Sequence, residues 1–181
     1  FASCSFLEDV SIPSSVLLIG DCAFASCASL QKLMLVKGLT KIGSRAFSCC
    51  SSLECIEIPF TVKTIGRSAF EKCGMLVQVK LADGLQYIDP FTFAWCIKMT
   101  TVSLPLSLKR IGQGAFKGCS ALANIDLSVA SQLSSIDAEA FYESGLQTIS
   151  VPETVESIGP SAFQRCYRLC EVELHEGLKK I

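Results

Sequence analysis

The 181-residue sequence has a single histidine and a single tryptophan. It also has no long apolar run, although 50% of its residues are hydrophobic. Its longest apolar clusters, such as Val16 to Ile19 and Leu33 to Val36, are about four residues long. A bilayer crossing needs roughly 20 apolar residues in succession, so no segment of this chain spans a membrane. Neither sign of charge dominates: 16 basic and 17 acidic residues are interspersed and leave a net charge of −1. Without a basic stripe to displace counterions from a phosphate backbone, the sequence gives no support to nucleic-acid binding. The eleven cysteines include no C-x-x-C pair, the tight spacing from which structural zinc sites are built. The lone His175 has no serine or cysteine nucleophile beside it in a recognisable motif. The opening residues Phe1-Ala2-Ser3-Cys4 lack the form of a signal peptide. They read instead as the middle of a repeat, as does Ile181, so the chain is expected to be an uncapped fragment of a longer array.

What the sequence does have is a period. A phenylalanine, usually after alanine, recurs at Phe1, Phe24, Phe47, Phe70, Phe93, Phe116, Phe141 and Phe163, in five steps of 23 residues followed by steps of 25 and 22. Other positions keep phase with it. Cysteine follows three residues on, from Cys4 and Cys27 to Cys119 and Cys166, with Ser144 the exception. Leucine or methionine comes next, then two aliphatics separated by one residue, such as Ile56 and Ile58 or Val79 and Leu81. Each unit closes on an isoleucine, from Ile19 to Ile181. Proline follows the aliphatic pair in alternate units, at Pro13, Pro59, Pro105 and Pro152. Self-similarity at a fixed period of this length is the signature of a solenoid.

Each unit reads as strand, turn, short helix, turn. Leu53-Glu54-Cys55-Ile56-Glu57-Ile58 alternates apolar and polar residues, so its aliphatics share one side of a strand. The proline after the pair has no N–H and stops the ladder. Gly20, Gly43, Gly66, Gly112 and Gly159, with Asp89 and Asp137 at the same place, are acceptable helix N-caps. Pro90 and Pro160 follow at a first helical position, which predicts a helix of up to about two turns around each phenylalanine. No unit can bury its apolar face alone. Stacking buries it, with strands pairing at roughly 4.8 Å into one parallel sheet of eight. Two extra residues near Ser128 to Ser131 should bulge after a strand, and one missing residue at Ser144-Gly145-Leu146 should tighten a turn.

The unit I-G-x-x-A-F-x-x-C-x-x-L-x-x-I-x-I-P, carried by Ile65-Gly66-Arg67-Ser68-Ala69-Phe70-Glu71-Lys72-Cys73 and by Ile56-Glu57-Ile58-Pro59-Phe60-Thr61-Val62, resembles the BspA-like, or Treponema pallidum-type, leucine-rich repeats. The Ser-Gly-Leu variant at 144–146 is similar to one found there. The resemblance covers essentially the whole chain; Asp89, Asp137, Thr92 and Ser144 depart from the pattern. It implies a curved solenoid with its parallel sheet on the concave side. More loosely it implies a surface protein of a bacterium or protozoan that adheres to host or matrix proteins. The expected fold is therefore an α/β solenoid: one leucine-rich-repeat domain over residues 1–181, about eight units in a right-handed superhelix, with a concave parallel sheet and short convex helices.

The regular positions account for most residues that might carry chemistry. Seven cysteines form one row, one per coil, and buried cysteine behaves as a small apolar residue; free thiols are expected, with no metal and no cofactor. Glu171 and Glu173 alternate along one strand with Glu176 nearby, which reads as a solvated acidic patch and not as carboxylates flanking a cleft. Trp95 and Phe91, on the helix side of one unit, are expected to pack. No catalytic constellation remains. The candidate binding face is the outward strand row Asp9, Lys32, Gln78, Thr101, Asn124, Thr148 and Glu171, with Cys55 in phase, and the neighbouring row Met34, Glu57, Lys80, Asp126 and Glu173. These residues predict a non-enzymatic protein-binding domain whose ligand is another protein. By resemblance it belongs to a cell-surface or secreted adhesin; the alternative is an intracellular structural scaffold.

Overall fold

The chain winds into a parallel β-solenoid, one coil per repeat, in a computed structural model that describes residues 1–181. Its fourteen short strands are numbered in chain order. The aliphatic pairs form β1 (Asp9–Ser11), β3 (Lys32–Met34), β5 (Cys55–Ile58), β7 (Gln78–Leu81), β9 (Thr101–Ser103), β12 (Thr148–Ser150) and β14 (Glu171–Glu173). The unit-closing isoleucines form a second column of two-residue strands: β2 (Leu18–Ile19), β4 (Lys41–Ile42), β6 (Thr64–Ile65), β8 (Tyr87–Ile88), β10 (Arg110–Ile111), β11 (Ser135–Ile136) and β13 (Ser157–Ile158). All pairings are parallel and join residues of neighbouring coils, such as Ile56 with Val79 and Ile42 with Ile65.

No helix forms, which corrects the expectation of short convex helices. The segment around each phenylalanine is a ribbon of consecutive β-turns, and its hydrogen bonding shows why. Around Phe47 every second N–H closes a turn within its own coil: Ala46 to Gly43 O at 3.3 Å, Ser48 to Arg45 O at 3.1 Å, Cys50 to Phe47 O at 3.3 Å. The intervening N–H groups donate to the next coil: Arg45 to Arg67 O at 2.9 Å, Phe47 to Ala69 O and Cys49 to Glu71 O at 2.8 Å. A helix would commit every one of these N–H groups to its own segment. The alternation places the residues two before and two after the phenylalanine in the left-handed region: Arg45 at φ 54° and Cys49 at φ 60°, and likewise in the other coils. Strain of about 1 kcal/mol at such a residue is offset by an inter-coil bond that contributes a similar net amount. The glycine before the ribbon is not a helix cap. A Cβ on Gly66 would lie 2.6 Å from the Ser44 backbone nitrogen, so this position is bare because the preceding coil passes against it.

Inside, the phenylalanines stack in one column. Adjacent rings from Phe1 to Phe163 have centroids 5.3–5.7 Å apart and planes within 2–13° of parallel, and Phe47, Phe70, Phe93, Phe116 and Phe141 are fully buried. The isoleucine column from Ile19 to Ile158 is buried beside them. All eleven cysteines are unbridged. Those of the row contribute more than volume, because each thiol of Cys27, Cys50, Cys73, Cys96, Cys119 and Cys166 donates to the phenylalanine carbonyl of the preceding coil at 3.0–3.3 Å.

The strand column is less regular than the single eight-stranded sheet expected. It splits into β1-β3, β5-β7-β9 and β12-β14. Residues 124–127 make no strand. There the Asp126 carboxylate accepts the Ser128 N–H at 3.0 Å and hydroxyl at 2.6 Å, a local Asx turn that draws the chain out of the ladder. The inserted residues follow as a bulge, with Val129 outside and Ala130 folded into the core. At the one-residue deletion Ser144 occupies the cysteine place and shares a 3.3 Å hydrogen bond with the Cys166 thiol. Gly145 is tucked so close that a Cβ would meet the Ser120 carbonyl oxygen at 2.1 Å.

One pair of coils is fitted individually. The rings of Phe91 and Trp95 lie across Gly114 and Gly118 of the next coil, within 2.4 Å and 2.3 Å of where their Cβ atoms would be. Both glycines sit at left-handed positions that bear side chains in most other coils.

Candidate protein-binding face

Strand alternation turns the aliphatics inward and the residues between them outward. All twelve candidate residues are exposed: Asp9, Lys32, Met34, Glu57, Gln78, Lys80, Thr101, Asn124, Asp126, Thr148, Glu171 and Glu173. The register brings most of them side by side. Asp9 stands opposite Lys32, Gln78 opposite Thr101, Glu57 opposite Lys80, and Thr148 opposite Glu171. Glu57 accepts from the Lys80 ammonium at 2.8 Å, with both side chains more than half exposed. Asn124 and Asp126 are not joined to a ladder. Asn124 accepts the Thr148 hydroxyl at 3.2 Å, whereas Asp126 is committed to Ser128. The two rows are therefore divided into three blocks and are not a continuous strip.

Apart from an apolar hollow at the first coil, lined by Leu7, Val10, Val16 and Phe24 among others, one depression of that face is apolar. A groove of about 460 Å³ opens where no ladder joins β3 to β5, lined by Leu33, Met34, Leu35, Ile58 and Phe60, with Lys37 and Glu57 among its polar residues. Met34 is 76% exposed and Phe60 56% exposed. Met34 belonged to the predicted rows. Phe60 was missed because it follows Pro59, outside the strand; its signal was an aromatic at a post-strand position where other coils carry Ser14, Lys37, Asp83, Leu106 and Glu153.

The other groups singled out in the sequence lie elsewhere. His175 is exposed past β14, and Glu171, Glu173 and Glu176 are exposed along one edge without a facing wall. Trp95 is 37% exposed on the turn ribbon, far along the unit from the strand face. Burial pushes the Cys50 and Cys119 thiols up from 9.0 to about 12, so they stay neutral and inert at physiological pH. Arg110 and Asp137 form a bidentate pair with Nε–O distances of 2.9 and 2.7 Å, which bridges neighbouring coils on the isoleucine side.

The coil geometry and its column of alternating phenylalanine and cysteine positions correspond to a known repeat. A family model described as BspA type leucine rich repeat region matches residues 1–96 and 86–181, with six copies. The chain belongs to the BspA-type leucine-rich repeat family. Among solved structures it is similar to a leucine rich cell surface protein of Faecalibacterium prausnitzii, with a TM-score of 0.76 and 29% identity, over 87% of this chain and 42% of that one. It is also similar to a leucine-rich repeat protein of Bacteroides ovatus (TM-score 0.51, 25% identity, 100% of this chain and 70% of the other). The T. pallidum leucine-rich repeat protein shares the fold at a TM-score of 0.61 and 24% identity, over 87% and 69% of the two chains. The chain thus spans less than half the length of the F. prausnitzii protein. No curated protein matches it. The chain contains no helix long and apolar enough to cross a membrane.

Proposed function

We propose that this BspA-type domain is a non-enzymatic protein-binding module of a cell-surface or secreted bacterial protein, and that it engages host or matrix proteins through its strand face. The observation that carries this reading is the exposed double row, from Asp9 and Lys32 to Glu171 and Glu173, held in register by parallel pairing between neighbouring coils. Its surface location is supported by the likeness to a leucine rich cell surface protein at 29% identity. The eleven unbridged thiols fit an intracellular scaffold equally well. The six buried thiols do not favour it, because they are shielded from oxidants in either compartment; Cys4, Cys22, Cys55 and Cys170 are exposed.

Thr101 lies centrally in the row and Gln113 is exposed on the turn ribbon. In solid-phase binding to matrix-protein preparations, Thr101→Arg should lower binding at least tenfold with an unchanged circular dichroism spectrum, and Gln113→Arg should not. Equal effects of the two substitutions, or none from either, would overturn the strand-face assignment.

A further inference from the structure

The outward strand rows are mostly polar, and apart from an apolar hollow at the first coil, lined by Leu7, Val10, Val16 and Phe24 among others, one place beside them can receive an apolar side chain of a partner. That place is the groove of about 460 Å³ between β3 and β5. Its floor is Leu33 and Ile58, both buried in the core, and its walls are the exposed Met34 and Phe60. Met34 is the one large apolar side chain on the two rows; Leu106, which takes Phe60's place in its own coil, is also exposed, but the preceding coil there carries Lys80 where Met34 stands. Interface energy concentrates where a desolvated apolar anchor fills a pocket, and methionine adapts its shape to such an anchor. Here the two occur together, at a step where the ladder lapses.

The charges beside the groove give its partner a sign. Lys37 lines it, and Lys32 projects from β3 two residues before Met34. Neither lysine is within ion-pair distance of a carboxylate, whereas Glu57, the acidic residue at the groove, is already bonded to Lys80. Lys32 faces Asp9 across the β1–β3 ladder, so the uncompensated charge at the rim is that of Lys37. At the far end of the same face Glu171 and Glu173 are exposed, with no bound cation of their own.

We infer that the groove between Met34 and Phe60 seats an aromatic or aliphatic side chain of a partner polypeptide, and that this anchor is flanked by a carboxylate which pairs with Lys37. The inference rests on the strand-face reading above and names the partner chemistry it selects. An unpaired cation beside a hydrophobic slot discriminates by penalising a basic segment as well as by attracting an acidic one.

The three methionines provide the test. Met34 is in the groove, Met75 is exposed elsewhere, and Met99 is buried. The intact chain, labelled at its methionine methyl groups with carbon-13, is titrated with the peptide acetyl-Asp-Asp-Leu-Phe-Asp-Asp-amide. The expected result is a saturable shift of the Met34 resonance, with Met75 and Met99 still. Phe60→Lys should abolish it, Lys37→Glu should weaken it at least threefold, and a peptide with lysine for aspartate should not produce it. No shift, equal binding of the acidic and basic peptides, or a Met34 shift on simple dilution (a second copy as the occupant) would each overturn the proposal. Wild-type matrix binding that survives Phe60→Lys but is lost in Thr101→Arg would sink the groove and leave the wider strand-face reading standing.

Discussion

The two long sides of the solenoid are built to different tolerances. On the phenylalanine side, three backbone hydrogen bonds cross each step from the coil of Phe24 to that of Phe163, including the steps that contain the insertion and the deletion. On the strand side the ladder lapses between β3 and β5 and again at residues 124–127. The comparison shows which side holds the register. The turn ribbon, the stacked rings and the thiol-to-carbonyl bonds repeat with little variation, and a strand ladder that can be interrupted leaves its outward residues free to differ from coil to coil. A binding face needs that freedom. Invariance on one side permits variation on the other.

Substitutions can break this comparison, and the largest effect should come from the ring column. Phe70→Ala, at a fully buried site, should lower unfolding free energy by about 3–5 kcal/mol in urea denaturation. Leu33→Ala, at the edge of the groove, should cost about 2 kcal/mol, at the low end for a buried leucine; equal losses would mean the two sides are equally constrained. Next in size is an alkaline effect confined to the thiol row. The folded chain holds the Cys50 and Cys119 protons up to about 12, against 9.0 ordinarily. A raised value in the folded state means stability that is complete below about pH 9 and is lost as pH climbs towards 12. The melting temperature should therefore fall across that window, and fall less in Cys50→Ala.

Smaller effects sharpen the same contrast. Burial also raises the Asp89 carboxyl above its ordinary 3.8, so its ionisation disfavours the fold as pH rises through that value. Asp89→Asn should raise the melting temperature by a few degrees at pH 7 and by less at pH 3; a larger gain at pH 3 would reverse the sign of this effect. Lys80→Ala, which removes an exposed ion pair on the strand face, should change stability by less than about 1 kcal/mol.

Much of this architecture is legible in the sequence because the period is a packing requirement. Phe47, Cys50, Leu53, Ile56 and Ile65 recur because each must meet its counterpart in the next coil, and every one is buried as the phase predicts. The outward rows follow from strand alternation alone, so Gln78, Thr101 and Lys80 emerge where expected. The turn ribbon did not follow. Glycine, aspartate and proline are start signals for a helix, but what decides the conformation is the competition between an intra-coil and an inter-coil acceptor for each N–H. That choice exists only once a second coil is present, and no single unit encodes it. The groove was missed for a similar reason. Phe60 looks like a loop residue until Met34 of the preceding coil is placed across from it. Asp126 looked like one more polar strand residue, and its capture by Ser128 depends on the two residues inserted behind it.

The fit of Phe91 and Trp95 onto Gly114 and Gly118 bears on how such an array can be rearranged. Most coils are near-equivalent cassettes, since the ring, thiol and isoleucine offered upward match those received from below. The coil of Phe93 is an exception: its two outer aromatics need a bare successor. Shuffling it next to any coil with side chains at both positions sets indole and phenyl carbons against Cβ atoms, so recombination or engineered extension would have to transplant residues 91–118 as a single inseparable block.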